Sequence, residues 1–221
     1  MEANVNTQKV SGEKPSLFGM ITSPGLQFER MRTNAPVWGA FFLLVLLGGI
    51  VFMAASYASL NNPELVKALK EDPTGTAKYF IMGGGFIAGL ITTMIMFFIS
   101  AAFYKVIMMF MGNDTTYKKL LSITVYSSVI TCLGLLVNAV LAIILGGDGI
   151  ERYTSLGPLF EKGTTAFSIG NSIEIFTIWG IFVTWLGLHI TAGLSKKQAT
   201  ILVVIFFVIS LAFSAFRGLG A

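Results

Sequence analysis

The chain has 221 residues, of which 54% are hydrophobic and only 12% are charged. Soluble domains are about a quarter charged, so this composition excludes an ordinary soluble domain and indicates a membrane protein. The single cysteine, Cys132, excludes disulfides within the chain, and the net charge of +4 is interpreted through membrane topology rather than as a sign of nucleic acid binding.

The N-terminal region is predicted to have two parts. Residues 1–15 are polar and predict a disordered tail. Residues 16–36 predict an interfacial amphipathic segment made of short helices. Ser23 is a favourable N-cap and Pro24 a favourable first helical residue, so the second of these helices is expected to begin there.

The polar and apolar sides of this second helix suggest what it contacts. Phe28 and Met31 lie on one side and are predicted to face lipid, while the charged residues stay in water. Arg30 and Arg32 would then meet the anionic inner leaflet, each adding about 1 kcal/mol. The segment is expected either to anchor the first span only or also to offer a docking surface to a cytoplasmic partner.

Five apolar runs follow the amphipathic segment, and each is long enough for a membrane-spanning helix. They predict an all-α integral membrane protein with a five-helix transmembrane domain over residues 37–217. The runs cover about residues 37–56, 80–104, 121–145, 173–194 and 199–216.

The distribution of lysine and arginine predicts the orientation of these spans. With the N-terminus inside, nine of the 15 cations fall on the inner side and six on the outer side, which favours a cytoplasmic N-terminus and an outer C-terminus. The inner cations are Lys9, Lys14, Arg30, Arg32, Lys105, Lys118, Lys119, Lys196 and Lys197. The outer cations are Lys67, Lys70, Lys78, Arg152, Lys162 and Arg217.

The two outer loops of this topology have different characters. The first predicts a short helix that begins at Pro63 and is capped by Asn62. The second, residues 146–172, carries too many aromatic and aliphatic side chains for a freely solvated loop. It is predicted to lie on the membrane surface or to fold over the helices.

Three polar residues at or within the spans are candidate intramembrane sites. His189, the only histidine, is predicted to form a hydrogen bond to a neighbouring helix, because the sequence offers no clear set of further haem or metal ligands. Asn138 is predicted to form an interhelical hydrogen bond. Glu174 is expected to be either an exposed acid at the start of a helix or a substrate or ion contact at the outer mouth.

Other sequence features exclude some functions. The sequence contains no HExxH, GxSxG, Walker or CxxC motif, and no charged residue lies near the middle of a span. We therefore predict that the protein is not an enzyme or an ion-coupled pump, and we assign no catalytic, cofactor or metal-binding residue. Gly85 and Gly89 form a GxxxG pattern, which permits close contact between helices.

An ordered set of short motifs over residues 16–216 resembles the Yip family, integral membrane proteins named for interaction with Ypt/Rab GTPases, and specifically its bacterial branch. The motifs are "SPGLQFERMR" before the first span, "MGNDTTYKK" and "VYSS" around the start of the third, and "IWGIFVTWLGLHITAGLSKKQA" before the last. The sequence departs from the pattern after Tyr126, because Val129 and Ile130 stand where relatives often have proline. The third helix is therefore expected to be straighter than in those relatives.

The resemblance implies a non-enzymatic accessory or scaffold protein of a bacterial cytoplasmic membrane. Its expected partners are membrane lipids and another membrane protein, an ABC-type exporter involved in defence against toxic peptides being suspected. A small transporter or a lipid-active, membrane-shaping protein is the alternative, and homo-oligomerisation is left open. The candidate partner- and lipid-contacting residues are Phe28, Arg30, Met31, Arg32, Lys118, Lys119, Lys196 and Lys197.

Overall fold

The computed structural model describes residues 13–219, and its regular elements in that range are helices. Residues 1–12, most of the predicted tail, lie outside the described residues. The helices are α1 (Gly19–Thr22), α2 (Pro24–Arg30), α3 (Trp38–Ser59), α4 (Pro63–Lys70), α5 (Ala77–Phe110), α6 (Tyr117–Ile144), α7 (Thr165–Ser172), α8 (Ile175–Ile190) and α9 (Lys196–Leu219). One 3₁₀ turn, Gly157–Leu159, precedes α7.

Four helices are long and apolar enough to cross a membrane, namely α3, α5, α6 and α9. The shortest of them, α3, has 22 residues and is about 33 Å long, which exceeds the roughly 30 Å of a bilayer's hydrocarbon core. The predicted all-α membrane fold is thus confirmed for these four helices. The third of them, α6, continues without a break through Val129 and Ile130, as the missing proline predicts.

The fourth apolar run forms a shorter helix than predicted. Helix α8 has 16 residues and is about 24 Å long, so its length does not confirm a fifth span. Glu174, which was predicted to belong to this helix, forms an isolated antiparallel bridge with Ser155 instead. After the helix, Gly193 adopts a φ of +79°, a conformation that favours glycine and reverses the chain.

The helices contribute to two compact units. The first unit comprises the chain up to Leu44, Ile95–Ile130 and Trp179–Phe207, and the second comprises Val45–Met94, Thr131–Ile178 and the chain from Val208. The largest fully buried side chains of the described residues all belong to the first unit. They are Met20, Phe28, Met31, Met108, Leu120, Ile123, Val125, Ile130, Val183, Leu188, Leu194 and Leu202.

Within the second unit, α3 and α5 approach closely at the GxxxG pattern. A Cβ atom at Gly85 would lie 3.2 Å from the carbonyl oxygen of Phe52, and one at Gly89 would lie 2.9 Å from that of Gly48. These distances leave little or no space for a side chain, so the predicted close helix contact is confirmed.

Helices α2 and α4 begin at the prolines that the sequence predicts. Helix α4 begins at Pro63, and the Asn62 side chain accepts a 3.0 Å hydrogen bond from the Glu64 N–H, as predicted. Helix α2 begins at Pro24 as predicted, but Ser23 makes no capping hydrogen bond with its side chain. Ser23 thus occupies the predicted N-cap position, where its carbonyl accepts the first hydrogen bond of the helix from the Gln27 N–H at 3.3 Å, and only the side-chain cap is absent.

Candidate functional site

The N-terminal helices of the first unit are packed into protein rather than laid against lipid. Phe28 and Met31 are both 0% exposed. The Thr191 hydroxyl donates a 2.8 Å hydrogen bond to the carbonyl of Phe28. A Cβ atom at Gly187 would lie 2.7 Å from the Phe28 ring, so α8 offers the ring a position without a side chain. The expectation that Phe28 and Met31 contact lipid or a partner is therefore corrected.

Arg30 is also tied into the segment. Its guanidinium forms an ion pair with Glu13 and donates a 3.3 Å hydrogen bond to Gln27 Oε1. The same Gln27 oxygen accepts from the Ser16 N–H at 2.9 Å, and the Gln27 side chain is buried. Sequence reasoning missed Gln27, although a polar residue on the apolar side of a helix is a signal for a buried hydrogen-bond partner.

The remaining cations of the candidate set lie at the surface of the first unit. Arg32 is 62% exposed and pairs with Glu29 at 3.2 Å. Lys118, Lys196 and Lys197 are exposed as well. An exposed pair such as Arg32–Glu29 contributes only about 0–1 kcal/mol, so this ion pair adds little to the stability of the first unit.

Two hydrogen bonds bring these cation-bearing segments together within the first unit. Lys119 Nζ donates to the carbonyl of Arg32 at 3.3 Å, which links the start of α6 to the end of the N-terminal segment. Thr115 Oγ1 donates to the carbonyl of Ala192 at 2.8 Å, which links the turn before α6 to the turn before α9. We call Arg32, Lys118, Lys119, Lys196 and Lys197 the basic rim.

His189 is held by the turn that follows its own helix. Its Nδ1–H donates to the Leu194 carbonyl at 2.7 Å, and its ring lies 5.5 Å from that of Trp185. The hydrogen-bond partner of His189 is thus a loop carbonyl rather than a group on a neighbouring helix, which corrects the prediction. Among residues 13–219 no group of three or more His, Cys, Asp and Glu side chains could hold a metal ion.

The second unit contains a buried polar cluster around Glu174, which is only 4% exposed. Its Oε1 accepts hydrogen bonds from Asn138 Nδ2 at 2.5 Å and from Thr154 Oγ1 at 2.8 Å. Its Oε2 accepts from Arg152 at 3.2 Å. The expectation of an exposed acid is therefore wrong. Asn138 bonds to Thr154 and Glu174, which both lie outside the helices, so the prediction of an interhelical hydrogen bond is corrected as well.

The cluster also fixes the loop of residues 146–172. The Thr154 N–H donates to Asn138 Oδ1 at 3.2 Å, and the Arg152 N–H donates to Asn171 Oδ1 at 3.1 Å. The loop is thus folded against α6 and α7, one of the two arrangements that its apolar character predicts. Arg152, Thr154 and Asn171 were not among the predicted site residues. The sequence signal for these residues was that Glu174 and Asn138 are polar side chains in apolar runs, and each therefore needs a buried hydrogen-bond partner.

The fold and these sites define a multi-pass, all-helical membrane protein. The Yip1 domain family matches residues 18–216, and the membrane protein YknW of Bacillus subtilis (strain 168) is 36% identical over 226 residues, covering 99% of this chain and 97% of that protein. The chain therefore belongs to the Yip1 domain family, which confirms the resemblance to a bacterial member. No solved structure matches it.

Proposed function

We propose that this protein is a non-enzymatic accessory or scaffold protein that acts through a membrane-protein partner. The partner class that its family resemblance implies is an ABC-type exporter involved in defence against toxic peptides. The observation that carries the proposal is the basic rim, whose five cations are presented by an ordered surface.

The structure of the first unit supports a docking role for this rim. The N-terminal helices are held by buried Phe28 and Met31, so Arg32 lies beside a rigid element. A surface that is already ordered loses less conformational entropy when a partner binds. Clustered cations also attract an acidic partner surface and accelerate association. The preferred partner therefore has an acidic face on the cytoplasmic side.

We further propose five spans in a bacterial cytoplasmic membrane, with the N-terminus inside and the C-terminus outside. Helix α8 is short, but the Thr115–Ala192 hydrogen bond joins the turn before α6 to the turn after α8. Turns that touch lie on one side of a membrane, which supports a crossing by α8 together with its flanking residues. The nine-to-six distribution of cations supports the orientation.

Affinity purification in mild detergent tests the proposed role. The variant combines Arg32→Glu, Lys118→Glu and Lys197→Glu, and its control reverses Lys67 and Lys70, which are exposed on α4. We expect the wild type and the control to recover a stoichiometric exporter subunit and the rim variant to lose it. Recovery by the rim variant, or no stoichiometric partner for any form, would contradict the proposal.

The alternative is a small transporter or a lipid-active protein with its own pathway. An apolar cavity in the second unit, described below, is the observation that favours it. Purified protein in liposomes distinguishes the two functions. Substrate uptake or lipid redistribution by the protein alone supports the alternative, and activity only after a partner is added supports the accessory role.

A further inference from the structure

A cavity of about 170 Å³ lies within the second unit, between α3, α6 and the outer loop. An engineered apolar cavity of about 150 Å³ stays dry and holds a benzene molecule, so this volume is sufficient for a small apolar group. The walls are formed by apolar side chains from the two helices. These are Val51, Phe52, Ala55, Leu135, Ala139 and Ala142.

One end of the cavity carries opposite charges. Glu151 and Arg152 both line it, next to Asn138. Each of these charges has an ion-pair partner. Lys162 lies 3.3 Å from Glu151, and Glu174 lies 3.2 Å from Arg152. A guanidinium has five N–H donors and a carboxylate has two acceptor oxygens, so both groups retain capacity for a ligand. The Arg152 side chain is 42% exposed and is therefore accessible.

The apolar and charged parts are arranged along the helix axis. Helix α3 ends at Ser59. At a rise of 1.5 Å per residue, Ala55 lies about 6 Å and Val51 about 12 Å before that end. Gly149 brings the loop against the helix, because a Cβ atom there would lie only 3.1 Å from the Ala55 carbonyl oxygen. The charges thus sit at the helix end and the apolar walls lie deeper.

We propose that this cavity binds a zwitterionic phospholipid, with part of an acyl chain between α3 and α6. Its phosphate would contact Arg152 and its ammonium group Glu151. The ion-paired charges beside the cavity favour this class over an anionic lipid, because the acids Asp148, Glu151 and Glu174 outnumber their cation partners Arg152 and Lys162 by one. The site is independent of the basic rim and goes beyond the proposed accessory role.

Native mass spectrometry of the purified full-length protein tests the site. The probes are phosphatidylethanolamine and phosphatidylglycerol with identical acyl chains. We expect about tenfold stronger binding of phosphatidylethanolamine, the size expected for one charge-assisted hydrogen bond. Equal binding of both lipids, or a preference for phosphatidylglycerol, would overturn the proposal.

Two variants separate the acyl and headgroup contacts. Ala139→Leu fills the cavity and is expected to lower binding of phosphatidylethanolamine about tenfold, whereas Ala88→Leu on the exposed side of α5 leaves it unchanged. Glu151→Gln leaves the apolar walls intact and is expected to remove most of the headgroup preference. The control Glu161→Gln alters an exposed acid of the same loop.

A variant that folds poorly is recognised by its thermal stability and does not decide the test of the site. Thermal unfolding of each purified variant identifies a loss of fold, and Glu151→Gln is then decisive because it changes no buried apolar group. A diazirine on the acyl chain should label peptides that contain Ala55 or Ala139. Labelling spread evenly over the lipid-exposed helices, or an unchanged preference in Glu151→Gln, would refute the site.

Discussion

The hydroxyl of Thr191 donates a 2.8 Å hydrogen bond to the backbone carbonyl of Phe28, a residue 163 positions earlier in the chain. The carbonyl belongs to the last turn of α2, where it also accepts a 3.2 Å hydrogen bond from the Met31 N–H. The hydrogen bond between Thr191 and Phe28 is buried, so it is a fixed part of the first unit. The N-terminal segment is therefore a structural element of that unit and not only a membrane anchor.

The Phe28 side chain is predicted to be important for the stability of the first unit. Phe28→Ala should lower the free energy of unfolding by about 3–5 kcal/mol, because it removes a completely buried ring and leaves a cavity. Phe18→Ala is the matched control, since Phe18 is 73% exposed. Thermal unfolding in detergent measures both variants, and an equal effect of the two would contradict the packed position of Phe28.

Gly187 is predicted to be required for the fit of the Phe28 ring. A Cβ atom at this position would lie 2.7 Å from the ring and 2.6 Å from Ile123 Cγ2. Gly187→Ala should therefore lower the free energy of unfolding by about 1–3 kcal/mol through overpacking. Gly83→Ala in α5 meets no atom within 4 Å and should be neutral or stabilising. The same unfolding measurement compares them, and a stable Gly187→Ala variant would disprove the close contact.

The Glu174 carboxylate is predicted to hold the loop of residues 146–172 in place. Glu174→Ala removes the shared partner of the buried Asn138 amide and the half-exposed Arg152 guanidinium, at a cost of about 1–3 kcal/mol. Proteolysis of the loop should become faster in this variant. The control Glu161→Ala removes an exposed acid and should leave the cleavage rate unchanged. An unchanged rate in Glu174→Ala would contradict the role of the cluster.

The stability of the turn before α5 is predicted to depend on pH through Asp72. Hydrogen bonds from the Thr74 side chain, the Ala77 N–H and the Thr74 N–H lower the pKa of Asp72 from 3.8 to about 2. Because the pKa is lower in the folded protein, the ionised form stabilises the turn, and this stabilisation is present above about pH 4 and lost as the pH falls towards 2.

Hydrogen exchange of the Ala77 amide measures this effect. The amide should lose protection between about pH 4 and pH 2 after correction for intrinsic exchange, and Asp72→Asn should lack the transition. Glu71→Gln, next to it in sequence, should behave like the wild type. A transition that persists in Asp72→Asn would assign it to another group.

The sequence predicts the parts of this fold that depend on local patterns. Long apolar runs specify α3, α5, α6 and α9, the Asn62–Pro63 pair specifies the start of α4, and the pair Gly85 and Gly89 specifies a close helix contact. These features depend on residues that are near one another in the chain.

The sites depend on contacts between distant segments and were predicted less well. An apolar helix side has the same pattern whether it packs on lipid or on protein, so the spacing of Phe28 and Met31 could not show that α8 covers Phe28. Glu174 lies beside a helix start, where an acid is favourable in water as well. Only the fold reveals that Arg152 and Thr154 surround it.

Cysteine accessibility in intact cells tests the central claim that the basic rim is a single cytoplasmic surface. In a Cys132→Ser background, Lys67→Cys, Lys118→Cys and Lys197→Cys are treated with an impermeant thiol reagent. With five spans and the N-terminus inside, only the cysteine at position 67 should react before the cells are opened. Reaction at positions 67 and 197 but not 118 would show that α8 does not cross and would divide the rim between two sides of the membrane. Reaction at positions 118 and 197 but not 67 would reverse the orientation.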